Sequence, residues 1–246
     1  MTVNIDITKE LKAVEKLIKS DINKEKTILG LYNYIFKSDG KKIRSRLNLI
    51  ASSSSKNSDR YKLASIIELL HTATLVHDDV VDNASTRRGA ISVNSLWSNA
   101  HGVLIGDYIY SKAFMLMVEI GKKDILAELA DATNDISQGE LIQLDAISNI
   151  KISLNKLKKI SYFKTGRLFE ASAKTGAMLA GANKNFIKNI SESAKNIGIL
   201  FQIKDDLLDY SNSSKTGKQS FQDLKEGKIT YPFFFALKNS SQKEKK

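Results

Sequence analysis

From Tyr61 to Val81 the chain is apolar on nearly every face, with no proline to interrupt it. A helix that is apolar all round must be buried. This run therefore sets the centre about which the other segments pack. Its end breaks the pattern, because His77-Asp78-Asp79-Val80-Val81-Asp82 introduces three carboxylates. Carboxylates beside a buried helix are costly unless a cation meets them. Acidic groups at a helix C-terminus also oppose the macrodipole. Asp78 and Asp82 stand four apart and share one helix face. Such a pair suits a hard divalent cation such as Mg2+, which takes oxygen ligands and keeps water and phosphate oxygens as the others. A solvated helix end is the plain alternative.

The same arrangement returns. Phe186 to Tyr210 is helical in pattern and ends in Phe201-Gln202-Ile203-Lys204-Asp205-Asp206-Leu207-Leu208-Asp209. Asp205 and Asp209 are again four apart, with Gln202 one turn earlier. Two such endings on long apolar helices are hard to explain as solvated faces. Facing each other, they would clamp several Mg2+ ions around a pyrophosphate.

The remaining segments are also helical in pattern. Val3, Ile7, Leu11, Val14 and Ile18 give an amphipathic first helix, and Ile28, Leu31, Tyr32, Ile35 and Phe36 a second. After a turn at Ser38-Asp39-Gly40, a third helix opens on Lys41-Lys42-Ile43-Arg44-Ser45-Arg46. Cations in a first turn oppose the dipole, so a bound anion would relieve a conflict there. Ala84 to Ala90 is a polar connector containing Thr86-Arg87-Arg88-Gly89. Arginine binds phosphate oxygens in bidentate fashion; a pair of surface arginines is the ordinary reading. Further helices run to Gly121, from Asp124 to Ile147 with Glu140 and Gln143 one turn apart, and from Leu154 to Leu179. The last contains Lys164-Thr165-Gly166. A mid-helix glycine costs about 1 kcal/mol relative to alanine and often marks a bend or a close approach. Lys215, Lys218, Lys225 and Lys228 follow the second acidic end, before a last helix from about Ile229 to Lys238.

Composition narrows the function classes. Cysteine is absent, which excludes disulfides and thiolate metal sites. No run is long and apolar enough to span a bilayer. Met1 to Ser20 carries Asp6, Glu10 and Glu15 and does not read as a secretory signal. A cytoplasmic location is expected. The net charge of +11 points to nucleic acid, an anionic membrane surface or anionic small substrates. The lysines are dispersed and no nucleic-acid motif is present, so nucleic acid is not an expected partner. The basic surface also suits peripheral contact with a membrane.

These motifs, in this order, resemble those of the trans-type polyprenyl diphosphate synthases, bacterial octaprenyl diphosphate synthases in particular. The resemblance runs from about Gly40 to Leu237. It is carried by Gly40-Lys41-Lys42-Ile43-Arg44, by His71 with Asp78-Asp79-Val80-Val81-Asp82, and by Arg87-Arg88-Gly89. Gly106-Asp107, Gly139-Glu140 through Gln143, Lys164-Thr165, Gln202 with Asp205 to Asp209, Lys218 and Lys228 complete it.

The resemblance implies an all-α fold, an antiparallel helix bundle around a deep central cavity of the isoprenoid synthase type. It implies one such domain over residues 1–246, without the last helices of the family. Mg2+ would bridge Asp78, Asp82, Asp205 and Asp209 to the diphosphate of an allylic substrate. Isopentenyl diphosphate would be held by Lys41, Arg44, His71 and Arg88. Arg87, Lys164, Lys218 and Lys228 would face the allylic diphosphate, with Thr165 and Gln202 nearby. Asp78, Asp82, Lys164, Thr165, Gln202 and Asp205 would carry the catalysis, and the protein would be a homodimer. Ala73 and Thr74, roughly 6–8 Å down the helix from Asp78, are too small to stop a growing chain. A long-chain all-trans product is therefore expected.

The chain departs from the family at Ser45, where proline is usual, and at Phe221, where glycine is usual. It also stops soon after Phe233-Phe234-Phe235, where relatives continue. Two other readings stand beside the synthase. A class I terpene cyclase would not need Lys41, Arg44 and His71. A non-catalytic or partner-dependent subunit of a prenyl diphosphate synthase suits the short C-terminus.

Overall fold

The computed structural model describes residues 6–37, 40–211 and 221–241. The turn at Ser38-Asp39, together with Val3, Lys215 and Lys218, lies outside the described residues. Among those described the protein is all-α, apart from one ribbon of two short strands. It forms two compact units, Met1–Ala130 with Ala171–Ser191, and Asp131–Glu170 with Glu192–Lys246.

The first unit is built around α4 (Asp59–Val81), which packs chiefly against α6 (Asn99–Ile120), α3 (Ile43–Ala51) and α1 (Ile7–Ile18). Every residue from Leu63 to Leu70 is buried. Full burial of a Leu or Ile side chain contributes about 1.5–3 kcal/mol, so the expected central helix is the main source of this unit's stability. Asp6 caps α1 by accepting a hydrogen bond from Lys9 N at 3.1 Å. Arg60, in the first turn of α4, grips both oxygens of Glu10 at 2.6 and 2.8 Å and ties α1 down. Where α6 meets the acidic end of α4, a Cβ on Gly106 would lie 2.2 Å from His77 Nε2. Only glycine admits the imidazole there.

The polar connector after α4 is more ordered than its composition suggests. β1 (Thr86–Arg87) and β2 (Ala90–Ile91) pair antiparallel. Arg88 and Gly89 form the turn at φ 53° and 77°. Two positive φ values make the tight primed turn that suits strand twist. The usual Asn-Gly or Asp-Gly signal is missing, so the sequence reads only as a connector. Tyr34, on α2 (Lys26–Ile35), pins the ribbon by donating its hydroxyl to Ile91 O at 2.7 Å.

The second unit contains the later part of α7 (Lys123–Leu144), α8 (Leu154–Ser161) and the start of α9 (Arg167–Leu179). It also holds α10 (Lys184–Asp209) from Glu192 onward, α11 (Gln222–Lys225) and α12 (Tyr231–Asn239). A short α5 (Val93–Leu96) precedes α6 in the first unit. Ala146, Ile152, Leu157, Ile160 and Tyr231 form a core in the second unit, with Ile203 and Phe234 packed on it. Pro232 sits in the first turn of α12, where a missing N–H costs nothing. The expected helix from Leu154 to Leu179 runs through, but residues Tyr162–Gly166 form a π turn.

Candidate active site

In the first unit the acidic end of α4 separates its aspartates by role. Asp79 is 5% exposed. Its Oδ1 accepts from Arg87 Nε at 2.8 Å and from Arg87 Nη2 at 2.5 Å. Burial raises the Asp79 pKa, and Arg87 opposes that rise. Burial likewise works against the charge on Arg87, but the bond to Asp79 outweighs it and the guanidinium is held more firmly protonated. Asp78 and Asp82, on the other face, are half-buried. The motif thus uses its middle carboxylate to fix an arginine and offers its outer pair.

Beside this end the chain gathers cations. Arg44 Nη1 lies 3.1 Å from His71 Nε2. A guanidinium can only donate, so His71 Nε2 accepts and the imidazole carries its proton on Nδ1. Burial holds the His71 pKa well below 6.5, aided by Arg44, Arg88 and Arg87. The imidazole is therefore neutral. Burial also lowers Arg44 to about 10, with Arg88 acting the same way and Glu68 opposing; Arg44 is still a cation at neutral pH. A Cβ on Gly40 would lie 2.6 Å from Arg88 Nη1, so the glycine before the basic run lets that guanidinium lie close against the chain. Arg44, His71 and Arg88 are brought together as the sequence suggested. Lys41 is exposed. Lys42, at φ 48°, is paired with Glu15 of α1.

A cavity of about 100 Å3 lies here, with Lys42, Glu68, Thr72, Arg87 and Arg88 in its wall. Ser45, the replacement for proline, is fully buried, its Oγ 3.0 Å from both Ala64 O and Glu68 Oε2. Below the acidic end Ala73 is fully buried and Thr74 half-buried, its Oγ1 donating to His71 O at 2.8 Å.

In the second unit the π turn presents Lys164 and Thr165. Lys164 Nζ donates to Glu140 Oε2 at 2.9 Å and to Gln143 Oε1 at 3.0 Å. Thr165 Oγ1 donates to Gln202 Oε1 at 2.6 Å, and Gln202 Nε2 donates to Asp206 Oδ1 at 2.7 Å. Asp206 Oδ2 accepts from Tyr231 N at 3.2 Å. Asp206 is 4% exposed and burial raises its pKa, against the pull of these two donors. The middle aspartate again serves the frame, while Asp205 and Asp209 are half-buried. Sequence reasoning had given no role to Asp79 or Asp206; their matching second place in the two acidic endings was the available signal.

Asp209 does more than border a metal site. Its two carboxylate oxygens accept from Gln222 N at 3.0 Å and Asp223 N at 3.2 Å, and its carbonyl accepts from Phe221 N at 2.8 Å. It therefore caps α11. Phe221 stands at φ 61°, a conformation that favours glycine, which accounts for what a glycine would do at this position. Lys228 is 8% exposed and pairs with Glu226 at 2.7 Å.

Among the described residues no group of three or more His, Asp or Glu side chains converges to hold a metal. Each acidic end offers a pair. Paired carboxylates fit Mg2+, which is bound through one or two carboxylates plus phosphates and water.

The polyprenyl synthetase family matches residues 25–246. The chain is similar to an octaprenyl diphosphate synthase of Escherichia coli (strain K12), with 34% identity over 98% of this chain and 76% of that one. It is 35% identical to an octaprenyl diphosphate synthase of Haemophilus influenzae over 96% of this chain and 73% of the other. Among solved structures, a decaprenyl diphosphate synthase from Rhodobacter capsulatus superimposes with TM-score 0.92 at 33% identity, over 97% of this chain and 75% of that one. A polyprenyl synthase from Caulobacter crescentus, complexed with calcium and isoprenyl diphosphate, gives TM-score 0.89 at 33% identity, over 98% and 73% of the two chains.

Proposed function

The chain belongs to the polyprenyl synthetase family and is a prenyltransferase, and from that premise we propose that it condenses isopentenyl diphosphate with an allylic diphosphate to build a long all-trans polyprenyl diphosphate. The observation that carries this reading is the division of labour at both acidic helix ends. In each, the middle carboxylate is buried in the frame, Asp79 on Arg87 and Asp206 on Gln202, while the outer pair is half-buried.

In this reading Asp78, Asp82, Asp205 and Asp209 hold Mg2+ against the allylic diphosphate, and the two units act as one synthase domain. The metal, when bound, neutralises charge developing on the leaving pyrophosphate. Lys164, steadied by Glu140 and Gln143, donates to the same diphosphate, joined by Arg87, Lys218 and Lys228. Such fixed donors stabilise the developing charge without reorganising. Lys41, Arg44 and Arg88 bind isopentenyl diphosphate, and neutral His71 offers it an Nδ1–H. The alkene then attacks the allylic carbocation, whose charge faces the oxygen dipoles of Thr165 and Gln202. The proton lost afterwards goes to the released pyrophosphate, so no dedicated protein base is needed. We further propose that the protein works as a cytoplasmic homodimer.

The direct test is incubation with radiolabelled isopentenyl diphosphate, farnesyl diphosphate and Mg2+. A lipid-extractable long-chain product is expected, and its absence overturns the reading of an active enzyme. Asp78→Ala and Asp205→Ala should each abolish product; full activity in either removes that residue from the metal site. A second reading, activity only with a partner chain, is favoured by exposed Leu141, Leu200 and Leu207 in the second unit. Addition of a partner would then be needed for any turnover.

A further inference from the structure

The π turn at Tyr162–Gly166 holds one residue more than an α-helical turn and persists only where neighbours favour it. Two helices do so with the same spacing. α7 carries Gly139 and Gln143, and α10 carries Gly198 and Gln202. Residues four apart share a helix face, so each helix presents a glycine and a glutamine side by side.

At each glycine the backbone meets the turn. A Cβ on Gly139 would lie 2.7 Å from Phe163 Cβ and 3.0 Å from Lys164 N. A Cβ on Gly198 would lie 2.6 Å from Gly166 Cα and 3.0 Å from Phe169 Cβ. These neighbours are backbone atoms or Cβ atoms, so no rotamer change relieves them. At each glutamine, Oε1 accepts from the turn: Gln143 from Lys164 Nζ at 3.0 Å, and Gln202 from Thr165 Oγ1 at 2.6 Å. The two pairs therefore take hold of consecutive residues.

We propose that Gly139 and Gly198 are positioning residues for prenyl transfer, each seating the π turn against a glutamine four residues on, so that Lys164 and Thr165 are aimed together. A methyl group at either glycine forces the helices apart. The turn then loses its outward register and relaxes toward α, which rotates the following residues by roughly 100° and takes Lys164 and Thr165 out of reach of their glutamines. This inference rests on the assignment of Lys164 and Thr165 to the allylic diphosphate.

Gly139→Ala and Gly198→Ala test it, with Gly30→Ala as the control, since nothing lies within 4 Å of a Cβ at Gly30. In each test variant kcat/KM for the allylic diphosphate should fall at least tenfold, with KM for isopentenyl diphosphate within twofold of the parent protein. Gly30→Ala should match the parent in both. Equal loss against both substrates, or no loss, overturns the proposal. If Gly139→Ala does not fold, Gln143→Met keeps the volume and removes the acceptor, and the same selective loss is expected. Crystal structures of the glycine variants separate this inference from the assignment it rests on. If the parent transfers no prenyl group, that assignment fails. The clamp still stands or falls by whether Lys164 Nζ leaves Gln143 Oε1 and the turn becomes α.

Discussion

At the scale of single residues, the site is arranged by what each polar group can donate or accept. Arg44 can only donate, so the contact at 3.1 Å forces His71 to accept through Nε2. Burial and three arginines then keep the ring neutral. Its folded pKa is depressed below the unfolded value of about 6.5, so the unfolded chain takes up the proton first as pH falls. The stability associated with His71 is present above pH 6.5 and is lost as pH falls below it. Two results are expected. In an NMR titration of the intact protein, the His71 ring should show no imidazolium at pH 6.5. In denaturant melts, His71→Gln should flatten the decline in stability below that pH. A His71 midpoint at or above 6.5 would sink the tautomer assignment and the role as a neutral donor.

At the scale of elements, the helices could be read from apolar periodicity, while what interrupts them could not. The run that became α4 declared itself because every position was apolar, and its burial from Leu63 to Leu70 follows. Both acidic endings were legible by the same logic. The ribbon at Thr86–Arg87 and Ala90–Ile91 was not, because Arg88 at φ 53° stands where asparagine or aspartate usually announces such a turn. The π turn was visible only as a glycine out of place, since one added residue leaves the 3.6-residue pattern almost intact. The same helix separates two chain-length candidates that the sequence treated alike. Ala73 has no exposed surface, whereas Thr74 retains some. Phenylalanine at 73 must enter packed core, and overpacking costs about 1–3 kcal/mol. Phenylalanine at 74 has room to turn outward. Thr74→Phe is therefore expected to shorten the product in a chain-length assay with little change in melting temperature. Ala73→Phe should lower the melting temperature. Unchanged product length in Thr74→Phe would remove that residue from the path of the growing chain.

At the scale of the whole molecule, the sequence predicted one domain and a homodimer, but only surfaces can speak to assembly. Sequence periodicity does not say which apolar face of a helix is left over after the core is filled. On α6 the leftover face is plain. Leu104, Met115 and Val118 are 68%, 66% and 71% exposed, with Val103 and Phe114 beside them. Glycine at 106 and buried Ile105, Ile109, Ala113 and Met117 take the opposite side into the first unit. Contiguous apolar patches of this kind on a folded chain mark association sites. In a two-fold dimer the same patch serves both copies, which needs no complementary surface elsewhere. A carboxylate placed in such an interface loses its water without gaining a partner, and that cost opposes association. Leu104→Glu and Val118→Glu, alone and together, should therefore shift the protein from dimer to monomer in sedimentation at micromolar concentration. Far-ultraviolet circular dichroism should be unchanged, because neither side chain enters the core. A parent protein already monomeric at that concentration, or a double variant that remains dimeric, would exclude this face as the contact between copies.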